Sequence, residues 1–138
     1  MVRTVSELQL SIYYAKYTGL KKGERMGEKE VYGMLIDYEY CTGCHTCEVA
    51  CAEEYNWEEG ISGMRVMEIV ERLPNNRYHL LYFPFPTEVC TLCIGRVKKG
   101  QEPQCVKHCM AKCLEFGPLE ELVIKMKERR KTALFRPR

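Results

Sequence analysis

The chain has 138 residues, 46% hydrophobic and 29% charged, with a formal net charge of +2. That length suits one small domain, and no run approaches the roughly eighteen consecutive apolar residues a membrane-spanning helix needs. Nine cysteines, an odd count with no hydrophobic signal segment at the start, argue against a secreted disulfide scaffold.

In chain order, residues 6–18 predict a helix. Leu10, Ile12, Tyr13, Tyr14 and Tyr17 supply apolar or aromatic side chains, Ser6 suits an N-cap and Gly19 a stop. A charged, glycine-containing linker runs from Lys21 to Glu30, so residues 1–30 read as a helical extension and linker and 31–138 as the main domain. Residues 31–38, VYGMLIDY, predict a strand. It leads into CTGCHTCEVAC, which places Cys41, Cys44, Cys47 and Cys51 in C-x2-C-x2-C-x3-C spacing, with helix expected from about Thr46 to Tyr55.

Residues 52–89 hold no cysteine. Within them MRVMEIVERL and RYHLLYF flank Pro74, Asn75 and Asn76, a hairpin pattern, although Val66, Ile69 and Val70 also fit one helical face. The second group follows: Cys90-x2-Cys93, an insertion IGRVKKGQEPQ, then Cys105-x3-Cys109. Helix resumes near Pro103 and again after Gly117, with Pro118 at the first helical position and Leu119, Leu122, Val123 and Met126 on one face. Residues 118–138 therefore read as a C-terminal helix ending in a basic tail.

Three thiols two residues apart converge on one small object only from a tight loop wrapped around it. C-x2-C-x2-C-x3-C is the bacterial ferredoxin signature, whose fourth cysteine ligates the other cluster in two-cluster ferredoxins. Exchange of that kind assigns Cys41, Cys44, Cys47 and Cys109 to one 4Fe-4S cluster and Cys90, Cys93, Cys105 and Cys51 to a second. Zinc is the competing reading, because paired C-x2-C elements also build tetrahedral sites and the second group alone supplies four thiols. Four thiols within eleven residues in the first group favour iron–sulfur.

The stretch CTLCIGRVKKGQEPQCVKHCMAKCLEFGPLEEL resembles the last cysteine group of the iron–sulfur (beta) subunits of the dimethyl sulfoxide reductase family. Arg96, Gly100, Pro103, Cys105, Val106, Cys109, Phe116, Gly117 and Pro118 carry the likeness, and CTGCHTCEVACAEEY is similar to the opening group of the same subunits. Two departures stand out. Family members usually carry four cysteine groups, whereas the middle two are absent here; the first and last groups share ligands in the family, so a two-cluster unit survives. Met110 also replaces the proline that normally follows the cysteine at Cys109. Cys113 stands where the family has a small residue; it reads as a small buried hydrophobe, with a one-position slip of ligand identity as the alternative.

Eight ligating thiolates and two oxidised cubane cores would bring the holoprotein to about −2, so the formal positive charge is partly an artefact. Backbone N–H groups would have to face the sulfurs, and Gly43 suits that close approach. Metal–thiolate bonds would replace much of the core around both groups, which hold few large aliphatic side chains. His45, His79 and His108 have no recognisable nucleophile or carboxylate partner, so the chain itself reads as non-catalytic. The basic residues from Lys125 to Arg138 suit a solvated face or an acidic partner better than nucleic acid, since only Phe135 interleaves with them.

The resemblance implies an α+β, ferredoxin-like two-cluster domain with a β-hairpin insertion and helical extensions at both ends. Its expected role is to relay single electrons between a large catalytic subunit holding a molybdenum or tungsten pterin and a separate donor or acceptor. The expected setting is cytoplasmic, with export only under a partner's signal, since no twin-arginine motif lies near Met1. A free-standing ferredoxin serving several partners and a zinc-stabilised interaction module are the alternatives.

Overall fold

The computed structural model describes residues 31–137, so the helix expected over residues 6–18 lies outside them. The elements run β1 (Tyr32–Asp37), α1 (Thr46–Tyr55), β2 (Met64–Leu73), β3 (Arg77–Pro86), α2 (Ile94–Val97), α3 (Gln104–His108), β4 (Leu114–Pro118), α4 (Leu119–Glu128) and β5 (Thr132–Phe135). Strands and helices are mixed, as expected, and they form two antiparallel sheets, β4-β1-β5 and the pair β2-β3.

β1 is the central strand of its sheet. Its run Met34-Leu35-Ile36 is wholly buried rather than alternating, because both edges and both faces are covered. Met34 lies opposite Phe116 on one side and Phe135 on the other, and Ile36 opposite Leu114 and Ala133. α4 covers one face through Leu122, which is fully buried, and Leu119, which packs so close to Gly33 that a Cβ there would collide with its Cδ2.

The hairpin pattern of residues 63–84 is realised as strand on both sides, in register from Met64 opposite Pro86 to Leu73 opposite Arg77. Pro74–Asn76 forms the turn, with Asn75 at φ 65° and Asn76 at φ 56°, left-handed values that asparagine tolerates better than most residues. The inner end of the hairpin is buried at Met64 and Pro84, whereas its outer half is exposed. Phe83 fixes it to the other sheet, edge-on to Tyr38 at 5.2 Å and 6.2 Å from the Phe135 ring.

The C-terminal region differs from expectation in three ways. Leu114–Pro118 is a strand that Pro118 closes, and the helix starts at Leu119. Val123 is largely exposed, leaving Leu122 as the buried anchor of that face. Residues Thr132–Phe135, expected as part of a basic tail, form β5 at the sheet edge. For the two strands the physical reason is the same: an apolar central strand needs a hydrogen-bonding neighbour on each side, and residues 114–118 and 132–135 supply them. Lys125 and Arg129 are held by Glu115 at 2.7 and 2.5 Å, so part of the basic run neutralises its own sheet.

Replacing half-buried Phe83 by alanine should cost about 2 kcal/mol of stability. A lower urea midpoint at unchanged iron content is the expected outcome; an unchanged midpoint would mean that the hairpin is held elsewhere.

Candidate metal centre

The two cysteine loops share a backbone shape. In Cys41-Thr42-Gly43-Cys44, Gly43 sits at φ +70°; in Cys90-Thr91-Leu92-Cys93, Leu92 occupies the matching place at φ 54°. A left-handed residue directs the chain back on itself, letting the flanking thiols face one point. His45 (φ 59°) and Cys93 (φ 50°) repeat the device immediately before α1 and α2. Left-handed backbone costs a non-glycine residue about 1–2 kcal/mol, and burial of the Leu92 side chain in the core offsets it. At Gly43 no side chain is tolerated, since a Cβ would meet the Tyr82 ring at 2.5 Å.

Cys41, Cys44, Cys47, Cys109 and Cys113 line one cavity, walled by Val66, Pro84 and Leu114 and bordered by Thr42 and His45. Cys47, Cys109 and Cys113 are buried, Cys41 is half-buried and Cys44 reaches the surface. A second set forms around buried Cys51, Cys90, Cys93 and Cys105: Cys51 is coupled electrostatically to Cys93, Cys90 to both, and Cys105 to all three. Cys51 lies one turn, about 5.4 Å along the axis, beyond Cys47 on the same face of α1. α3 packs against α1 and supplies Cys105 near its start and Cys109 just past its end. The two thiol sets are therefore neighbours, and Cys105 feels Cys47 as well.

Polar hydrogens surround these sulfurs. The N–H of Gly43 donates to Cys41, that of Thr46 to Cys44 with help from the Thr46 hydroxyl, and that of Glu48 to Cys47. Gly63 and Met64 N–H groups serve Cys51, and Leu92 N–H serves Cys90. At Cys44 these donors lower the thiol pKa. Elsewhere burial prevails: it pushes Cys47 up to about 12, reinforced by Cys41, and raises Cys41, Cys51, Cys90, Cys105 and Cys113 as well. Without metal the thiols of Cys41, Cys47, Cys51, Cys90, Cys105 and Cys113 are thus held protonated, and metal binding at any of them must displace the proton.

The donor set fits a cubane better than a single zinc ion. Among the described residues no three Cys, His, Asp or Glu side chains draw together tightly enough for one ion; the sulfurs of the first set instead line a cavity, with peptide N–H groups donating to them as an anionic cluster requires. The histidines add no sulfur to that set, but two of them have the carboxylate partners that the sequence reading did not find. His45 meets Glu48 at 3.2 Å, His79 meets Glu71 across the hairpin at 3.2 Å, and His108 Nδ1 lies 3.1 Å from its own helix carbonyl at Gln104.

Four supporting features escaped the sequence reading. Gly63 brings backbone so near Cys51 that a Cβ would lie 2.9 Å from its sulfur, and an isolated glycine opening a strand was the available signal. Tyr82 packs on Gly43 from the far side of the hairpin, and Tyr55 bonds Thr91 at 3.0 Å while facing Cys93. Glu54 ties the second loop to α1, accepting from Arg96 at 3.3 Å and Gln104 at 2.8 Å. Cys113 is buried, as expected of a small hydrophobe, yet it lies within the first cavity with its sulfur 3.5 Å from that of Cys109.

Comparison with known proteins agrees with this chemistry. Residues 58–119 match the 4Fe-4S dicluster domain family. A probable anaerobic dimethyl sulfoxide reductase chain, YnfG of Escherichia coli, is 32% identical over 100 residues, covering 70% of this chain and 37% of the relative. A putative dimethyl sulfoxide reductase iron–sulfur subunit of Halobacterium salinarum is 32% identical over 98 residues (62% and 31%), and a formate dehydrogenase iron–sulfur subunit of Haemophilus influenzae is 50% identical over 40 residues (29% and 13%). The chain thus spans little more than a third, at most, of the length of these curated relatives. Paired thiol nests, inward dipoles and the matched domain define a protein that carries two 4Fe-4S clusters. Within that class the chain is similar, over up to 70% of its own length, to the iron–sulfur subunits of dimethyl sulfoxide reductases.

Gly43→Ala should strain the first loop by about 1–2 kcal/mol and displace Tyr82. Its expected readout is loss of iron from one cluster with the other retained. The cluster-free chain should also be alkali-sensitive. Thiol pKa values raised above the ordinary 9.0 make stability fully present below pH 9.0 and lost as pH rises toward about 12 for Cys47. Denaturant midpoints of the apoprotein across that window measure it.

Proposed function

We propose that the chain is an electron-transfer subunit relaying single electrons to or from a larger catalytic subunit that holds a molybdenum or tungsten pterin, with a separate donor or acceptor at its other end. The single observation that carries this reading is the pair of adjacent thiol nests sharing α1 and α3. The names of the relatives, chains of dimethyl sulfoxide reductases and formate dehydrogenases, supply the kind of partner.

In the proposed assignment Cys41, Cys44, Cys47 and Cys109 hold the first cluster and Cys51, Cys90, Cys93 and Cys105 the second. The β1–loop–α1 and α3–β4 segments act as a ferredoxin-like core, with the hairpin as an insertion. When bound, each cluster takes up and returns one electron. The chain's own part is positional and electrostatic. N–H donors from Gly43, Glu48, Gly63, Met64 and Leu92 stabilise the extra negative charge of the reduced state at the sulfurs they touch. Close placement of the nests through α1 shortens the path between them, and exposed Cys44 opens the first toward the surface.

Residues 52–89 form the proposed docking surface, along with the N-terminal forty residues. Tyr82 lies over the first loop, and Leu80 and Tyr78 continue the same strand face outward, with Val70 opposite Leu80. Val70, Leu80 and Tyr78 are 61%, 49% and 67% exposed, an apolar band leading away from the first cluster. No described helix is long and apolar enough to cross a membrane; the proposed setting is the cytoplasm, or beyond it in company with an exported partner.

Anaerobic copurification from the native source tests the reading. A larger pterin-containing subunit should accompany the chain, which itself should hold about eight iron and eight sulfide. The Val70→Glu/Leu80→Glu variant should lose the large subunit and keep its iron. A monomeric iron-containing pool would favour the free-standing ferredoxin, and zinc without iron the interaction module.

A further inference from the structure

A cubane presents four irons, each needing one thiolate, yet five cysteines line the first cavity. Cys113 is the surplus one. It is 4% exposed, its sulfur lies 3.5 Å from that of Cys109, and it is within hydrogen-bond reach of Cys41. Two sulfurs so close cannot take separate corners of a cluster, but they can compete for one metal position.

The backbone gives each a distinct footing. The Cys113 carbonyl accepts the Asp37 N–H at 2.8 Å, so the residue is pinned to the end of the central strand β1. Cys109 lies past the last turn of the short helix α3, and exposed Met110 follows it. Lys112, left-handed at φ 53°, folds the three intervening residues back and donates its N–H to the Cys109 carbonyl at 3.2 Å. This tight loop brings the two sulfurs side by side, with the rest of the cavity wall common to both.

We propose that Cys109 and Cys113 are alternative ligands for one iron position of the first cluster, the unbound thiol donating its S–H to the bound thiolate. Exchange breaks the iron–sulfur bond at Cys109 and makes one at Cys113, while the Cys113 proton crosses to the Cys109 sulfur. Charge and iron oxidation state are unchanged. The second set has no counterpart, since Cys51, Cys90, Cys93 and Cys105 account for all its thiols.

The proposal rests on the ligand assignment above, and one set of full-length, anaerobically prepared variants separates the two. Cys41→Ala, and the double variant Cys109→Ala/Cys113→Ala, should fall from about eight iron to about four or five, with the reduced-state electron paramagnetic resonance of one intact cluster. Cys109→Ala alone should keep about eight iron. Cys113→Ala should also keep about eight and shift one cluster to lower potential, because a donor to thiolate is lost.

If Cys109→Ala loses as much iron as the double variant while Cys41→Ala behaves as expected, the exchange is wrong and the assignment stands. If Cys41→Ala keeps all its iron, the assignment itself fails and the exchange falls with it. Should Cys109→Ala not fold, Cys113→Ala decides: unchanged potentials and spectra for both clusters overturn the proposal.

Discussion

Bringing thiols together in a buried place sets the terms for the whole chain. Each thiolate repels the next and resists leaving water, so an uncompensated nest would stay protonated, as the upward shifts at Cys47 and Cys105 express. The fold answers with peptide N–H groups, which cost no side-chain ordering and sit wherever the backbone can come close. Left-handed positions at Gly43 and Leu92 and the bare backbone at Gly63 are what make that approach feasible.

The rest of the architecture keeps those loops in place. β1 delivers the chain into the first loop and receives β4 from the end of the second group, so both ends of the cysteine-bearing segment are hydrogen-bonded to one strand. β5 closes the other edge. The hydrophobic core runs from Met34 and Ile36 straight into the buried cysteines, with Leu114 and Met64 at the boundary; apolar packing and thiol nest form one continuous interior. Strain at the loops is thereby borne by a sheet whose central strand is wholly buried.

Chemistry was far more legible in the sequence than geometry. Fixed spacing of Cys41, Cys44, Cys47 and Cys51 encodes a loop and the start of a helix, and α1 runs over the residues anticipated for it. The Pro-Asn-Asn turn announced the hairpin, because those residue types tolerate the turn's backbone where others resist it. Strands β4 and β5 were hidden: five and four residues are too short for alternation to register, and their basic or glycine-proline flanks read as helix and tail. Long-range partners such as Tyr82 over Gly43 and Glu54 with Arg96 leave no local trace at all.

The hairpin does structural work at the first cavity. Where the resemblance places two further cysteine groups, this chain has residues 52–89, and their inner end does structural duty. Val66 and Pro84, paired across the strands, form one wall of the first cavity, Tyr82 seals Gly43, and Thr87 and Ser62 lock the strand bases together, the Thr87 hydroxyl donating to the Ser62 carbonyl at 2.6 Å. Ser62 in turn donates to the Glu48 carbonyl at 3.0 Å, and the Glu48 carboxylate accepts the Val66 N–H, so α1 and the hairpin clasp each other beside Cys47 and Cys51. Protein surface thus encloses the first set of sulfurs here, and farther out the same strands leave Val70, Leu80 and Tyr78 exposed.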